Sequence, residues 1–446
     1  MTAPSLARRL GLTDAVVIGL GSMIGAGIFA AFTPAAQAAG SGLLAGLAVA
    51  ALVAFANATA SAQLAAAYPR SGGTYLYGRT VLGPWWGFVA GWSFVVGKIA
   101  SCAAMALIFA AYAAPPGWEK PVAVLAVVAL AAVNYRGVTR TARLARVIVT
   151  VSLLTLAVVV ASGVAGAVGA GEAGVAADGT VAPGAGSGLW GEATSALVNG
   201  GALVNGGAYG VLQSAGLLFF AFAGYARIAT MGEEGRDPAR TIPRAITIAL
   251  GITVVVYAAI AVTTLSALGP EVLARSSAPL VDTVIAGGWH WAAPVVRVGA
   301  AAASLGALLA LMTGIGRTSL AMAREGELPG WLSAVHPRFR VPHRAEVALA
   351  VVVAVIVLAI DVRGAIGFSS FGVLLYYFVA NAAALRQPRG ERRYPRALQV
   401  FGGLACAVLV ATLPWQSVVA GGAVVLVGVA GRAVVLGVRR GRAPVE

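Results

Sequence analysis

Long apolar runs alternate with short polar separators along the whole chain. A helix needs about 20 consecutive apolar residues to cross about 30 Å of hydrocarbon. Runs of this kind lie near 14–38, 43–67, 85–112, 120–134, 145–169, 209–231, 243–268, 291–321, 345–361, 364–386, 395–413 and 416–437. The pattern predicts an all-α membrane protein with twelve transmembrane helices.

Composition supports this reading and excludes its rivals. Hydrophobic residues make up 59% of the 446, 58 more are glycine, and only 11% are charged, against about 25% charged in globular domains. A soluble fold of this length has no interior large enough for so much apolar surface. Disordered, collagenous and disulfide-stapled classes are excluded with it. The two cysteines, Cys102 and Cys406, both lie in apolar stretches. With three histidines they make neither a disulfide framework nor a metal-ligand spacing.

The net charge of +15 is a topology signal. With the N-terminus inside, 25 of the 31 lysines and arginines fall on cytoplasmic segments and span ends. Only Lys120, Arg275 and Arg363 fall outside, and Lys98, Arg227 and Arg297 lie within spans. This positive-inside bias puts both termini in the cytoplasm and makes the number of spans even. It also removes nucleic acid as the partner implied by a basic chain.

The expected organisation is a cytoplasmic N-terminus (1–13), a first five-helix repeat (14–169) and an outside Gly/Ala-rich loop (170–208). A second five-helix repeat (209–386), two further helices (387–438) and a cytoplasmic tail (439–446) follow. Arg8 and Arg9, the first apolar run and Ala36-Gln37-Ala38 resemble a secretory leader with its cleavage site. The run is too long for that, and its removal would break the charge alternation. A tandem hexad in the loop, Ala196 to Gly201 and Ala202 to Gly207, is far shorter than a structural repeat.

Two spans contain breakers at corresponding places. Span 1 carries Gly19, Gly21, Gly25 and Gly27, and span 6 reads Phe219-Phe220-Ala221-Phe222-Ala223-Gly224-Tyr225. Each glycine costs a helix about 1 kcal/mol relative to alanine. Unwound backbone at membrane depth is tolerated only where it is buried in protein or lines a cavity. Interrupted helices in positions 1 and 6 point to a site between two inverted five-helix repeats. Half-helix amides suit a carboxylate and freed carbonyls suit an ammonium or Na⁺, so an amino acid satisfies both ends. Small residues also serve close helix packing, and the glycines alone leave both uses open. Two soluble-protein motifs fail: Gly19-x-Gly21-x-x-Ile24 lacks its third glycine, and Gly91 to Gly97-Lys98-Ile99 has the wrong spacing for a phosphate loop.

Five elements in order resemble the amino acid-polyamine-organocation (APC) superfamily of permeases. They are Gly25-Ala26-Gly27-Ile28-Phe29; Tyr68 to Tyr77 with Gly87-Phe88 and Gly91-Trp92; Phe219 to Tyr225; Glu233-Glu234 with Pro238 and Thr241 to Ile246; and Ala321 to Pro329. Together they run over most of residues 12–330. The resemblance implies a five-plus-five inverted-repeat core of the LeuT type, two extra C-terminal helices and alternating access. It implies an α-carboxylate on the amides of Gly25, Ala26 and Gly27. The α-ammonium would meet carbonyls around Met23, Ile24, Phe220, Ala221 and Ala223, next to Gly224, with Phe222 as an aromatic gate.

Lys98 lies halfway through span 3, with Phe94, Ser101, Cys102 and Met105 on its face. An intramembrane lysine costs at least about 2.5–3.5 kcal/mol and should face the interior. Proton-coupled relatives place a lysine in span 5, where this chain aligns Ser152. Sodium-coupled relatives carry hydroxyls in span 8, where it has Leu305-Gly306 beside Ser304. Lys98 is therefore the candidate coupling group, with the proton as coupling ion; a structural lysine bound to a carbonyl is the alternative. Arg227, Glu233 and Glu234 are candidates for an inner gate of ion pairs, and Arg297 reads as a snorkelling charge. No Asp or Glu lies near mid-membrane, which favours neutral side chains over cationic amino acids or polyamines.

An embedded enzyme would need a catalytic set within the membrane, but His290, His336 and His343 all fall in loops. A channel would show a filter or a charged ring. The sequence reads as a secondary transporter of amino acids, a symporter, an exchanger or a uniporter, with no cofactor. The expected location is a cytoplasmic membrane, and the high Ala, Gly and Arg content is compatible with a GC-rich bacterial genome.

Overall fold

The computed structural model describes residues 11–68, 72–136, 142–173, 206–229 and 237–441, and the structural statements below concern these. Glu233, Glu234 and most of the 170–208 loop, including nearly all of its tandem hexad, lie outside the described residues. The described residues are almost all helical, with no strand among them.

Helix 1 of the sequence pattern forms three pieces: α1 (Leu12–Met23), α2 (Ala26–Ala30) and α3 (Phe32–Ala39). Next come α4 (Leu43–Ala67), the short α5 (Gly73–Val81), α6 (Pro84–Ala113), α7 (Glu119–Tyr135) and α8 (Ala142–Ala173). Helix 6 divides into α9 (Gly207–Phe222), a 3₁₀ turn at Ala223–Tyr225 and α10 (Ala226–Ala229). The chain continues as α11 (Pro238–Arg275), α12 (Pro279–Ala286), α13 (Ala293–Arg324), α14 (His343–Ala359), α15 (Val362–Arg386), α16 (Arg396–Thr412) and α17 (Trp415–Gly441). Gly269 breaks α11 near its end with φ 69°, a conformation that favours glycine, and Pro270 follows it.

Nine helical stretches among the described residues are long and apolar enough to cross a membrane, against twelve expected. The difference has a geometric cause. α7, α14 and α16 have 17 residues each, and at about 1.5 Å per residue each falls short of the hydrocarbon thickness. The elements α5 and α12 lie in segments read as separators.

Small residues set how closely the helices approach. A β-carbon on Gly372 of α15 would lie 2.7 Å from Cα of Gly97 on α6, so these two helices touch backbone to backbone. Gly299 of α13 gives the same room to Thr155 of α8. Where lipid supplies no hydrophobic drive between helices, such packing and buried hydrogen bonds hold the bundle together. One polar group of this kind joins three helices. The Asn381 amide donates to Asn57 Oδ1 at 2.6 Å, and Asn57 Nδ2 donates to Cys406 Sγ at 3.3 Å. Trp92 Nε1 donates to the Val424 carbonyl at 2.9 Å and ties α17 to α6.

Candidate functional site

The first break follows from the glycine spacing. α1 ends at Met23, Ile24 leaves the helical region at ψ 52°, and Gly25 is extended at φ −105°, ψ −142° before α2 begins. The second break is milder, a single 3₁₀ turn after Phe222. The two breaks cross each other. A β-carbon on Gly224 would lie 2.2 Å from the Ser22 carbonyl oxygen, and one on Gly27 would lie 2.8 Å from Cα of Ala221. The residues the sequence assigned to substrate (Met23, Ile24, Gly25, Ala26, Gly27, Phe220, Ala221, Phe222 and Ala223) are all buried at this crossing, with Gly224 half-buried.

Several of the carbonyls at the crossing already have donors. The Tyr257 hydroxyl, on α11, shares its proton between Met23 O at 2.6 Å and Ala221 O at 3.0 Å. Ala223 O receives Tyr377 Oη at 3.4 Å and lies 3.5 Å from Lys98 Nζ. Sequence reasoning missed Tyr257. The available signal was a lone phenol within the apolar run Val254-Val255-Val256-Tyr257, because a buried tyrosine hydroxyl needs a partner.

A cavity of about 450 Å³ begins at the crossing, where Gly21, Ser22, Phe220, Ala223 and Gly224 line it. It extends along α13 past Ala307, Leu311 and Gly314 to Arg317 and Thr318, and reaches Arg227, Gly72 and Tyr75. Phe94, Lys98, Ser101 and Met105 line it, whereas Cys102, grouped with them by helical spacing, is buried outside its lining. Lys98 is 7% exposed. Phe222 packs instead against the Tyr257 ring at 4.9 Å, while Phe220 lines the cavity. Three cations line the cavity (Lys98, Arg227 and Arg317), and among the described residues its lining includes no Asp or Glu. Ser152 donates to its own helix at Ile148 O, 2.8 Å away, and Ser304 is buried without a hydrogen-bond partner.

Beyond the crossing, on the side away from Arg227, buried aromatic rings pack between α2 and α6. The buried Tyr112 ring meets Phe29 edge-on at 5.9 Å, and its hydroxyl donates to Phe29 O at 2.6 Å. Arg297, read as a snorkelling charge, donates to Tyr112 O at 3.2 Å.

At the arginine-rich end, Glu233 and Glu234 lie outside the described residues, and the ion pairs observed there are different ones. Arg79 of α5 pairs with Glu325 and Glu327, both at 3.1 Å. Glu327 also takes Arg432 of α17 at 2.6 Å, with side chains only 5% and 8% exposed. Arg432 lies over the Trp85 and Phe88 rings at 5.1 and 4.7 Å. Burial, with the Glu327 carboxylate beside it, pushes the Tyr75 phenol far up. These carboxylates belong to the Ala321 to Pro329 element, but their partners come from distant segments that no local spacing reveals.

Helical bundle, crossed helix breaks and cavity are those of a multi-pass membrane transporter. The chain belongs to the amino acid permease family, whose profile matches residues 10–436. It is 56% identical over 435 residues to an uncharacterized transporter of Mycobacterium tuberculosis, covering 98% of this chain and 92% of the relative. A branched-chain amino acid permease of Bacillus subtilis is 25% identical over 446 residues, covering 93% of this chain and 90% of the permease. A chloroplastic cationic amino acid transporter of Arabidopsis thaliana is 27% identical over 409 residues, at 87% and 67% coverage. The family and these relatives are transporters, not enzymes.

Proposed function

We propose that the protein is a secondary transporter that carries neutral amino acids by alternating access and couples the movement to protons. The observation that carries this reading is the cavity running from the crossed breaks toward the arginine-rich end, with buried aromatic rings packed on the opposite side. Its volume lies within the usual range for small-molecule sites, about 300–1,000 Å³. In a cytoplasmic membrane, with both termini and the arginine-rich ends inside, this is an inward-facing arrangement. The three 17-residue helices complete a count of twelve by tilting little or thinning the bilayer locally. The breaks in helices 1 and 6 then mark equivalent places in a five-plus-five repeat.

The substrate carboxylate meets the amides of Gly25, Ala26 and Gly27. Its ammonium takes carbonyls among Met23, Ile24, Phe220, Ala221 and Ala223, competing with Tyr257 for two of them. Alternating access then requires Gly224 to keep the two breaks in register, with Phe222 and Tyr257 behind them and Arg227, Glu233 and Glu234 at the inner gate. A neutral side chain is favoured over a cationic one because Lys98 and Arg317 line the path and repel a third positive group. The branched-chain substrate named for one relative agrees with this, and the cationic substrates named for another do not.

Lys98 is the coupling residue of this scheme, and no cofactor enters it. Its ammonium faces the Ala223 carbonyl within the second break, so a change in its charge is felt where the substrate ammonium binds. In proteoliposomes, Lys98→Met should lower uptake driven by an inward proton gradient by about tenfold or more, a typical effect for a proton-transfer group. Exchange without a gradient should persist. Undiminished gradient-driven uptake by Lys98→Met would remove the lysine from the mechanism.

A further inference from the structure

A second buried ionisable group lies outside the cavity, on the far face of the helix that walls it. Glu346, in the first turn of α14, is 2% exposed. Its Oε1 occupies the space left by the missing side chain of Gly316 on α13, where a β-carbon would lie 2.8 Å away. Its Oε2 has no hydrogen-bond partner among the described residues. Asn134, at the end of α7, lies beside the carboxyl. Its Oδ1 accepts from Thr313 Oγ1 at 3.1 Å, which leaves its Nδ2 to donate to the Glu346 carboxyl. His343, one turn before Glu346, has a buried Nδ1 without a partner. A buried carboxylate with a single amide donor and no ion pair among the described residues is costly unless it can take up a proton.

The neighbours indicate what is exchanged. The charged and titratable groups near Glu346 are Arg317 across α13 and Cys102 from α6, with His343 one turn before it on its own helix. None of them makes an ion pair with it. His343, three residues before it on the same helix, is half-buried. Two of the chain's three histidines, His336 and His343, have ring centres 5.3 Å apart, and Tyr135 meets both at 5.4 and 6.0 Å. His336 Nδ1 accepts from the amides of Arg338 and Phe339 at 3.2 Å, which leaves Nε2 to carry the exchangeable proton. This loop also carries Arg338 and Arg340, on the end where the cavity opens. The opposite face of α13 supplies the cavity wall through Ala310, Gly314 and Arg317.

We propose that Glu346 is a proton-binding site remote from the cavity, filled through His336 and His343, whose occupancy sets the packing of α13 and so the access of substrate. On loading, hydronium gives a proton to the carboxylate, leaving water and a neutral acid; release is the reverse, and no other reactant takes part. Neutralising the carboxyl removes its attraction to Arg317 across α13 and gives Oε2 a hydrogen to donate. This rests on the transport reading above.

The test is exchange of labelled leucine for internal leucine in proteoliposomes, at equal pH on both sides, from about pH 5 to about pH 9. Wild-type exchange should change by about fivefold or more across this range, and Glu346→Gln by less than about twofold at an unchanged KM. Glu346→Asp should restore the dependence with a displaced midpoint. The same pH dependence in wild type and Glu346→Gln, or none in the wild type, would overturn the proposal. Should Glu346→Gln not fold, an unmoved midpoint in Glu346→Asp would overturn it as well. Absence of exchange for leucine and every other amino acid in the folded wild type would instead remove the transport reading, and the proposal with it.

Discussion

Gly224→Ala is expected to abolish transport. The added methyl group would meet the Ser22 carbonyl oxygen at 2.2 Å, its carbon at 2.3 Å and the Met23 nitrogen at 2.6 Å. All three are backbone atoms, so no side chain can rotate away, and the two broken helices must separate. Overpacking of this kind costs about 1–3 kcal/mol, or more where the backbone cannot yield. The larger loss is functional, because a displacement of about 1 Å at a binding site can cost about a hundredfold in rate. Gly251→Ala is the control: it lies in α11, and a β-carbon there meets nothing within 4 Å. That substitution should leave uptake intact and add up to about 1 kcal/mol of helix stability. Uptake and thermal unfolding in detergent, measured on both variants, check the pair; full activity in Gly224→Ala would mean that the breaks do not work in contact.

The second large effect is expected at Glu327→Gln. This carboxylate pairs with Arg432 in a nearly dry site and also reaches Arg79. Removing one partner of a buried pair typically costs about 3–5 kcal/mol, because the other charge stays buried without compensation. Arg79 retains Glu325, whereas Arg432 retains only the faces of Trp85 and Phe88. Thermal unfolding should fall accordingly. The double variant Glu327→Leu/Arg432→Met should recover most of the loss, since well-packed apolar replacements of buried pairs are often neutral. If the double variant is as unstable as the two losses added together, the coupling is absent.

What the sequence reveals and what it hides divide along a physical line. A helical repeat tells which residues share a face, so Phe94, Lys98, Ser101 and Met105 could be grouped before their cavity was known. Glycine clustering similarly located the break in span 1, whereas span 6 offered only Gly224 in its segment 219–225. Which helix stands opposite a given face is a long-range fact, and no periodicity encodes it. Tyr257 meets Met23 across 234 residues and Arg432 meets Glu327 across 105; neither pairing leaves a local trace. Glu346 reads as an acid near a helix start, a place usually solvated, and only the packing of α7 and α13 buries it. The three helices of 17 residues correspond to the three shortest runs read from the sequence, 120–134, 345–361 and 395–413, so their marginal length was already legible.

The central claim is that the crossed breaks bind an amino acid with a neutral side chain and that a proton gradient drives its entry. Uptake into proteoliposomes of a panel of labelled amino acids, with and without an inward proton gradient, tests it most directly. The expected result is saturable uptake of a neutral amino acid that rises with the gradient and is not displaced by excess lysine. Uptake that ignores the gradient and requires a loaded interior would make the protein an exchanger. Absence of uptake for every amino acid, in protein whose cooperative thermal unfolding shows it to be folded, would contradict the claim outright.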